Sequence, residues 1–215
     1  MKRLWMTALA LLAACGGEPK ARYAAQGDTG DTPALTDAGI VTMVEHVNLS
    51  EVGAAKAAFP KLQNAEVRGF AERMIREHAA MNASLDRLPV KGDTARFPPP
   101  QFATLQAVAQ SQLAQLNLML AGPAFDRNYM ALQVLQHSQA LDSLRQWYRA
   151  ARNPELRGAI EAALPRVRAH QQSAEALVAR LGGGLDPGVV APPPPDTSWA
   201  RRAPPAPSAP DTGRS

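Results

Sequence analysis

The sequence predicts an all-α protein built around a four-helix bundle. Three observations predict it. Apolar residues recur at alternating steps of three and four along four long segments, the spacing of a helical seam. Capping and breaking residues fall between those segments. No segment alternates apolar and polar residues as a half-buried strand would.

Each element can be placed in chain order. The first helix is expected to open at Thr36-Asp37, whose side chains suit an N-cap, and to stop before Pro60. The second begins at the Asn64 cap with Glu66 in its first turn and runs to about Leu88, before Pro89. KGDTARFPPP is a loop, and Gln101 to Leu120 is a further, more weakly patterned helix. Gly122-Pro123 breaks the chain, and a long helix follows from about Ala124 to Ala151. Asn153-Pro154-Glu155 supplies cap, first-position proline and first-turn acid for the last helix, which ends at Gly182-Gly183-Gly184. Pro165 lies inside that helix and is expected to kink it.

The seams are explicit. The first helix gives Ile40, Val44, Val47, Glu51, Ala54 and Ala58; the second gives Val67, Ala71, Met74, His78, Met81, Leu85 and Leu88. The long fourth segment gives Asp126, Met130, Val134, His137, Leu141, Leu144 and Tyr148; the last gives Leu156, Ile160, Ala163, Val167, His170, Ala174, Leu177 and Leu181. Four such seams want a four-helix bundle.

The polar interruptions carry the functional information. Three of the chain's 4 histidines fall on seams, one per helix, with the acids Glu51 and Asp126. At about 1.5 Å per residue, His78 and His137 both lie about fourteen residues into their helices. If the segment between them is a crossover, those helices run parallel and the two rings are level. His170 falls within a turn of His137 across the short Arg152-Asn153 connection. Three imidazoles at one depth are a donor set for a transition metal or a haem-like ligand. The competing account is a hydrogen-bonded polar layer that only fixes register. Glu51 comes level with Glu72 and Arg73, so a buried Glu51–Arg73 pair, or a hydrogen bond from Tyr129, is its structural alternative. His46 faces off the seam and is expected to be solvated.

Other chemistries are poorly served. Carboxylate-bridged di-iron sites need Glu-x-x-His on two helices, but Met43, Ile75, Val134 and Val167 stand three residues before the histidines. No P-loop, dinucleotide fingerprint or nucleophile elbow occurs. A single Cys excludes an intrachain disulfide framework and any CxxC zinc site. A net charge of +4 with only 5% aromatic residues, and no basic stripe, is no nucleic-acid signature.

The chain ends differ in kind from its centre. Residues 1–14 have a basic start, a short apolar stretch and small residues at the end, the pattern of a secretory signal too short to span a membrane. Leu12-Ala13-Ala14-Cys15 resembles the bacterial lipobox, so Cys15 is the expected lipidation site, and two or three acyl chains would make a stable anchor. Gly16, rather than Asp, favours the outer membrane, facing the periplasm. Residues 15–35 read as the lipidated Cys and a flexible tether reaching roughly 25 Å. Residues 36–182 form the bundle domain, and 183–215, rich in Pro, a disordered tail.

The motifs Asn48-Leu49-Ser50-Glu51, Val67-Arg68-Gly69-Phe70-Ala71-Glu72-Arg73-Met74-Ile75-Arg76-Glu77-His78, Phe125-Asp126-Arg127-Asn128-Tyr129-Met130 through His137, and Leu164-Pro165-Arg166-Val167-Arg168-Ala169-His170 come in an order that resembles a bacterial family. That family is the domain of unknown function numbered 4142. The likeness covers about Thr36 to Gly182. It implies a ferritin-like helical bundle, usually exported, with Glu51, His78, Asp126, Tyr129, His137 and His170 as a shared polar set and the Pro165 kink as a family feature. It implies no activity.

The functional expectation is an envelope lipoprotein acting as a non-catalytic binding module. His78, His137 and His170, assisted by Glu51 or Asp126, would hold a metal ion or small ligand, with Tyr129 and Arg73 as supporting polar groups. The partners implied are the membrane, through the lipid, and that ligand; no nucleic acid and no particular protein partner is implied. The alternative is a structural or interaction protein of the envelope whose polar core only sets packing. A third, less favoured reading is a metal-dependent redox enzyme.

Overall fold

A computed structural model describes residues 35–90 and 98–183. The signal, lipobox, most of the tether, part of the loop before Pro100, and the tail lie outside the described residues. Those described form five α-helices and one short 3-10 turn, with no strand among them. The helices are α1 (Asp37–Ala58), α2 (Ala65–Leu85), α3 (Pro100–Leu118), α4 (Pro123–Ala150) and α5 (Pro154–Arg180).

The caps read from sequence form as expected. Thr36 accepts from the Gly39 amide, Asn64 from the Glu66 and Val67 amides, and Asn153 from the Leu156 amide. Pro123 and Pro154 open α4 and α5, where a missing N–H costs nothing. Helix α2 ends at Leu85, three residues earlier than its seam suggests, because the chain tightens into i→i+3 bonds (Arg87 to Ser84, Leu88 to Leu85) ahead of Pro89. At the end of α5, Gly182 adopts φ 88° and the Gly183 amide reaches back to the Val178 carbonyl, a left-handed stop that favours glycine. Helix α5 continues through Pro165.

Helix α1 packs on α2, α3 and α4, while α5 packs on α4 and α2. Two aspartates tie the connections together at opposite ends. Asp37, at the start of α1, accepts from the Arg152 and Asn153 amides in the α4–α5 turn. Asp126, at the start of α4, accepts from the Gln63 and Asn64 amides in the α1–α2 turn. The start of α4 therefore lies beside the start of α2, so these two helices run the same way, as the level histidines require. Helix α3 makes the return. Its N-terminal Pro99 lies near Gly39, and its C-terminal carbonyls at Leu116 and Asn117, with that of Met119, accept from the Lys61 ammonium at 2.8–2.9 Å.

Lys61 thus closes the last turn of a helix that buries little, only Gln112 and Leu116 being buried along it. Lys61→Met is expected to cost about 1–2 kcal/mol by freeing three carbonyls from a charged donor. Faster amide exchange confined to the C-terminal turn of α3 would check it.

The core is in two parts. One gathers Ala54, Val67, Phe70, Met74, Leu132 and Ala174 with their neighbours, toward the α1–α2 turn. The other gathers Ile40, Val44, Leu85, Leu141, Trp147 and Val167, toward the α4–α5 turn. Every one of the four long helices places a buried polar residue between these two clusters: Asn48 and Glu51 on α1, His78 on α2 (followed by Met81), His137 on α4 and His170 on α5. A buried polar layer divides the apolar interior.

Candidate metal centre

His78, His137 and His170 are each no more than 2% exposed. One ring nitrogen from each lies within 4.8 Å of one from each of the others. The ring centroids are 5.3–5.7 Å apart, and Phe70 stands edge-on to His137 at 6.4 Å.

The hydrogen bonds fix the tautomer of every ring. Asn82 donates its amide to the Glu45 carbonyl, which turns its oxygen toward the Asn48 amide at 2.7 Å. That orients the Asn48 oxygen to accept from His78 Nδ1 at 2.9 Å. His137 Nδ1 donates to the Gln133 carbonyl at 2.8 Å, and His170 Nε2 to the Glu77 carboxylate at 2.6 Å. Each acceptor can only accept, so each ring spends its N–H on the surroundings. The remaining nitrogens, His78 Nε2, His137 Nε2 and His170 Nδ1, carry lone pairs, are buried, and have no hydrogen-bond partner. Three lone pairs without donors, in one buried layer, are what a cation would satisfy.

A proton is a poor candidate for that cation. Burial holds the His78 imidazole well below its ordinary range, and the neighbouring His137 and His170 push in the same direction. Burial also lowers His170, partly offset by its hydrogen bond to Glu77, with the charge of Arg73 again lowering it.

The structure does not draw all the expected residues into this group. Asp126 is fully engaged by backbone amides in the α1–α2 turn, with only 1% of its surface exposed. Glu51 is buried too, but it accepts from the Gln133 side-chain amide at 3.1 Å. Neither belongs to the histidine group. Arg73 sets its guanidinium over the Phe70 ring at 5.2 Å rather than pairing with Glu51. The Tyr129 hydroxyl lacks the hydrogen bond to Glu51 that the sequence suggested. It is fully buried, and burial together with the Glu51 charge raises it well above the ordinary phenol range. His46 is half-buried rather than solvated, its ring 4.8 Å from Phe102, because α3 covers that side of α1.

The residues that orient the rings were missed as such. Asn48 and Glu77 stand inside quoted motifs without a role, and Gln133 acts through its backbone carbonyl, which no side-chain pattern reveals. The available signal was position: Asn48 is one residue past the seam at Val47, on a helix that faces α2.

The sequence pattern of a known family, described as a domain of unknown function (DUF4142), matches residues 22–177. The chain belongs to that family. No curated protein and no solved structure matches it. The DUF4142 segment contains all three histidines together with Asn48, Glu77 and Gln133, and it ends before Gly182. It also starts well before Thr36, inside the stretch read as tether. No helix among the described residues is long and apolar enough to cross a membrane.

Proposed function

We propose that this DUF4142 protein is a non-catalytic metal-binding module of the bacterial envelope, holding one transition-metal ion through His78, His137 and His170. The observation that carries the reading is the set of three buried, unpartnered ring nitrogens whose rings are each held in the ligating tautomer by an acceptor on the other side. A layer serving register alone would hydrogen-bond those nitrogens, since each buried acceptor without a donor costs about 1–3 kcal/mol. Metal–nitrogen bonds of about 2.0–2.1 Å put tetrahedral donors about 3.3 Å apart, so nitrogens within 4.8 Å need a modest contraction of the rings on binding. Imidazole donors suit zinc, copper, nickel or iron. Glu77 behind His170 adds basicity to that ring and partly balances the charge of the ion.

The finer architecture belongs to the same proposal: α1, α2, α4 and α5 form a ferritin-like four-helix bundle with α3 as the crossover. The pairing of these helices and the two aspartate ties support it. Cys15, following its lipobox, would anchor the module to the outer membrane on a flexible tether, facing the periplasm.

One observation favours a structural role for the rest of the layer. Gln112 on α3, Gln136 and Gln133 on α4, and Glu51 on α1 are linked by successive side-chain hydrogen bonds. This buried chain ties three helices in one register without using the histidines.

Elemental analysis decides the metal question. The full chain, equilibrated with zinc, copper, nickel or cobalt and desalted, is expected to retain one ion per chain. His78→Gln/His137→Gln/His170→Gln is expected to retain none while keeping its helical circular dichroism. Equal metal in the two proteins overturns the proposal.

A further inference from the structure

Beside the histidine layer, toward the α4–α5 turn, residues of the four long helices and of the turn after α2 line a partly open pocket of about 510 Å³. Its size falls within the range of small-molecule pockets, about 300–1,000 Å³. Its walls are mostly apolar, with Val44, Leu85, Leu144, Trp147, Ile160 and Val167 among them, all buried. Protein interiors hold few voids larger than a water molecule, because side chains facing empty space forfeit their dispersion contacts. An apolar occupant would therefore gain dispersion contacts along these walls that solvent in a partly open pocket supplies poorly.

Polar residues line it too. Asn48 and His78 line it at the layer, where the buried His78 Nε2 is without a partner. Ser84, Arg87 and Arg166 also line it, and both arginines are exposed, one in the turn that follows α2 and one on α5. No carboxylate lines the cavity. A pocket with a mostly apolar body, two exposed arginines among its lining residues and no lining acid is complementary to one ligand class. That class has a single hydrocarbon body and one anionic head.

We infer that the cavity binds a single-chain carboxylate amphiphile, with its hydrocarbon among Leu85, Trp147 and Ile160 and its carboxylate at Arg87 and Arg166. The inference goes beyond the metal reading and does not depend on it, since neither arginine belongs to the histidine group. The inner end of the pocket reaches His78, so an occupant lies next to the layer and screens it from solvent.

Isothermal titration calorimetry tests this on the full chain, with and without chelator, using decanoate below its micelle concentration. Saturable binding at one site is expected, equal in the two conditions. Arg87→Gln/Arg166→Gln alters two exposed side chains, so it should fold normally and weaken decanoate binding by about tenfold or more, equivalent to about 1.4 kcal/mol. Ala163→Trp, which fills the cavity from α5, should abolish binding with helical content intact. Decanol and decyltrimethylammonium, with the same chain and no negative charge, should bind at least as poorly as decanoate binds the double variant. No saturable decanoate binding overturns the inference, as does binding that ignores the head-group charge or survives Ala163→Trp. Loss of metal in the triple histidine variant with decanoate binding retained would separate the two proposals.

Discussion

Stripped of metal, the protein is expected to lose thermal stability steadily as pH falls from about 6.5 toward about 5, and the triple His→Gln variant is expected to lose much less over that interval. The sign follows from which state takes up protons. In the unfolded chain His78 and His170 titrate near 6.5, whereas in the folded protein both are lowered, His78 strongly. Just below the unfolded value the unfolded chain therefore binds protons that the folded chain refuses. Stability is fully present above about pH 6.5 and drains away as pH falls toward the depressed folded values. Each such group can steepen the dependence by up to about 1.4 kcal/mol per pH unit. His170 should contribute less than His78, because Glu77 favours its charged form. Bound metal should enlarge the contrast. An ion supplied at about 100 times its dissociation constant adds about 2.7 kcal/mol at neutral pH, and protons competing for the same nitrogens remove that gain in acid. Thermal melts followed by far-ultraviolet circular dichroism, with chelator and with zinc, check both expectations. An unchanged pH slope in the triple variant would assign the acid sensitivity to other groups.

The seams were legible because a buried stripe must repeat at the helical period whatever lies across from it. Val67, Ala71, Met74, His78, Met81 and Leu85 on α2, read at steps of three and four, are all buried. The levelling of His78 with His137 was legible for the same reason, since rise per residue is constant and α3 returns the chain to the starting end. Less legible was what each polar seam residue bonds to. Asp126 and His137 occupy equivalent seam positions, yet one faces a turn with free amides and the other faces two rings. That difference is set by how α4 aligns with the α1–α2 turn, a tertiary fact with no local pattern. Nor could periodicity show that the seam residues beside Trp147 leave a cavity, because packing volume depends on side chains from four helices at once. His46 lies off its seam and would face solvent on an isolated pair of helices. The weakly patterned α3 covers it.

Asp126→Ala is expected to be among the most destabilising single substitutions in the protein, at about 3 kcal/mol or more. The carboxylate is buried, and it receives the Gln63 and Asn64 amides at 2.7–3.2 Å. Removing it strands two N–H groups that have lost a charged acceptor, at about 1.5–3 kcal/mol each before relaxation. Asp126→Asn keeps one acceptor oxygen but turns an NH2 group toward the second donor, so an intermediate loss of about 1–2 kcal/mol is expected. Asp37→Ala removes the corresponding tie at the other end, where the Arg152 amide is exposed and water can replace the carboxylate, so about 1 kcal/mol is expected. Urea denaturation with unchanged slope would give this order directly. The same variants separate a tie from a ligand. At a temperature where Asp126→Asn remains folded, its metal content should equal that of the unmodified protein, because its carboxylate is committed to the turn that brings α4 level with α2. A folded Asp126→Asn protein that had lost its ion would instead place the carboxylate in the metal centre, as the sequence alone allowed.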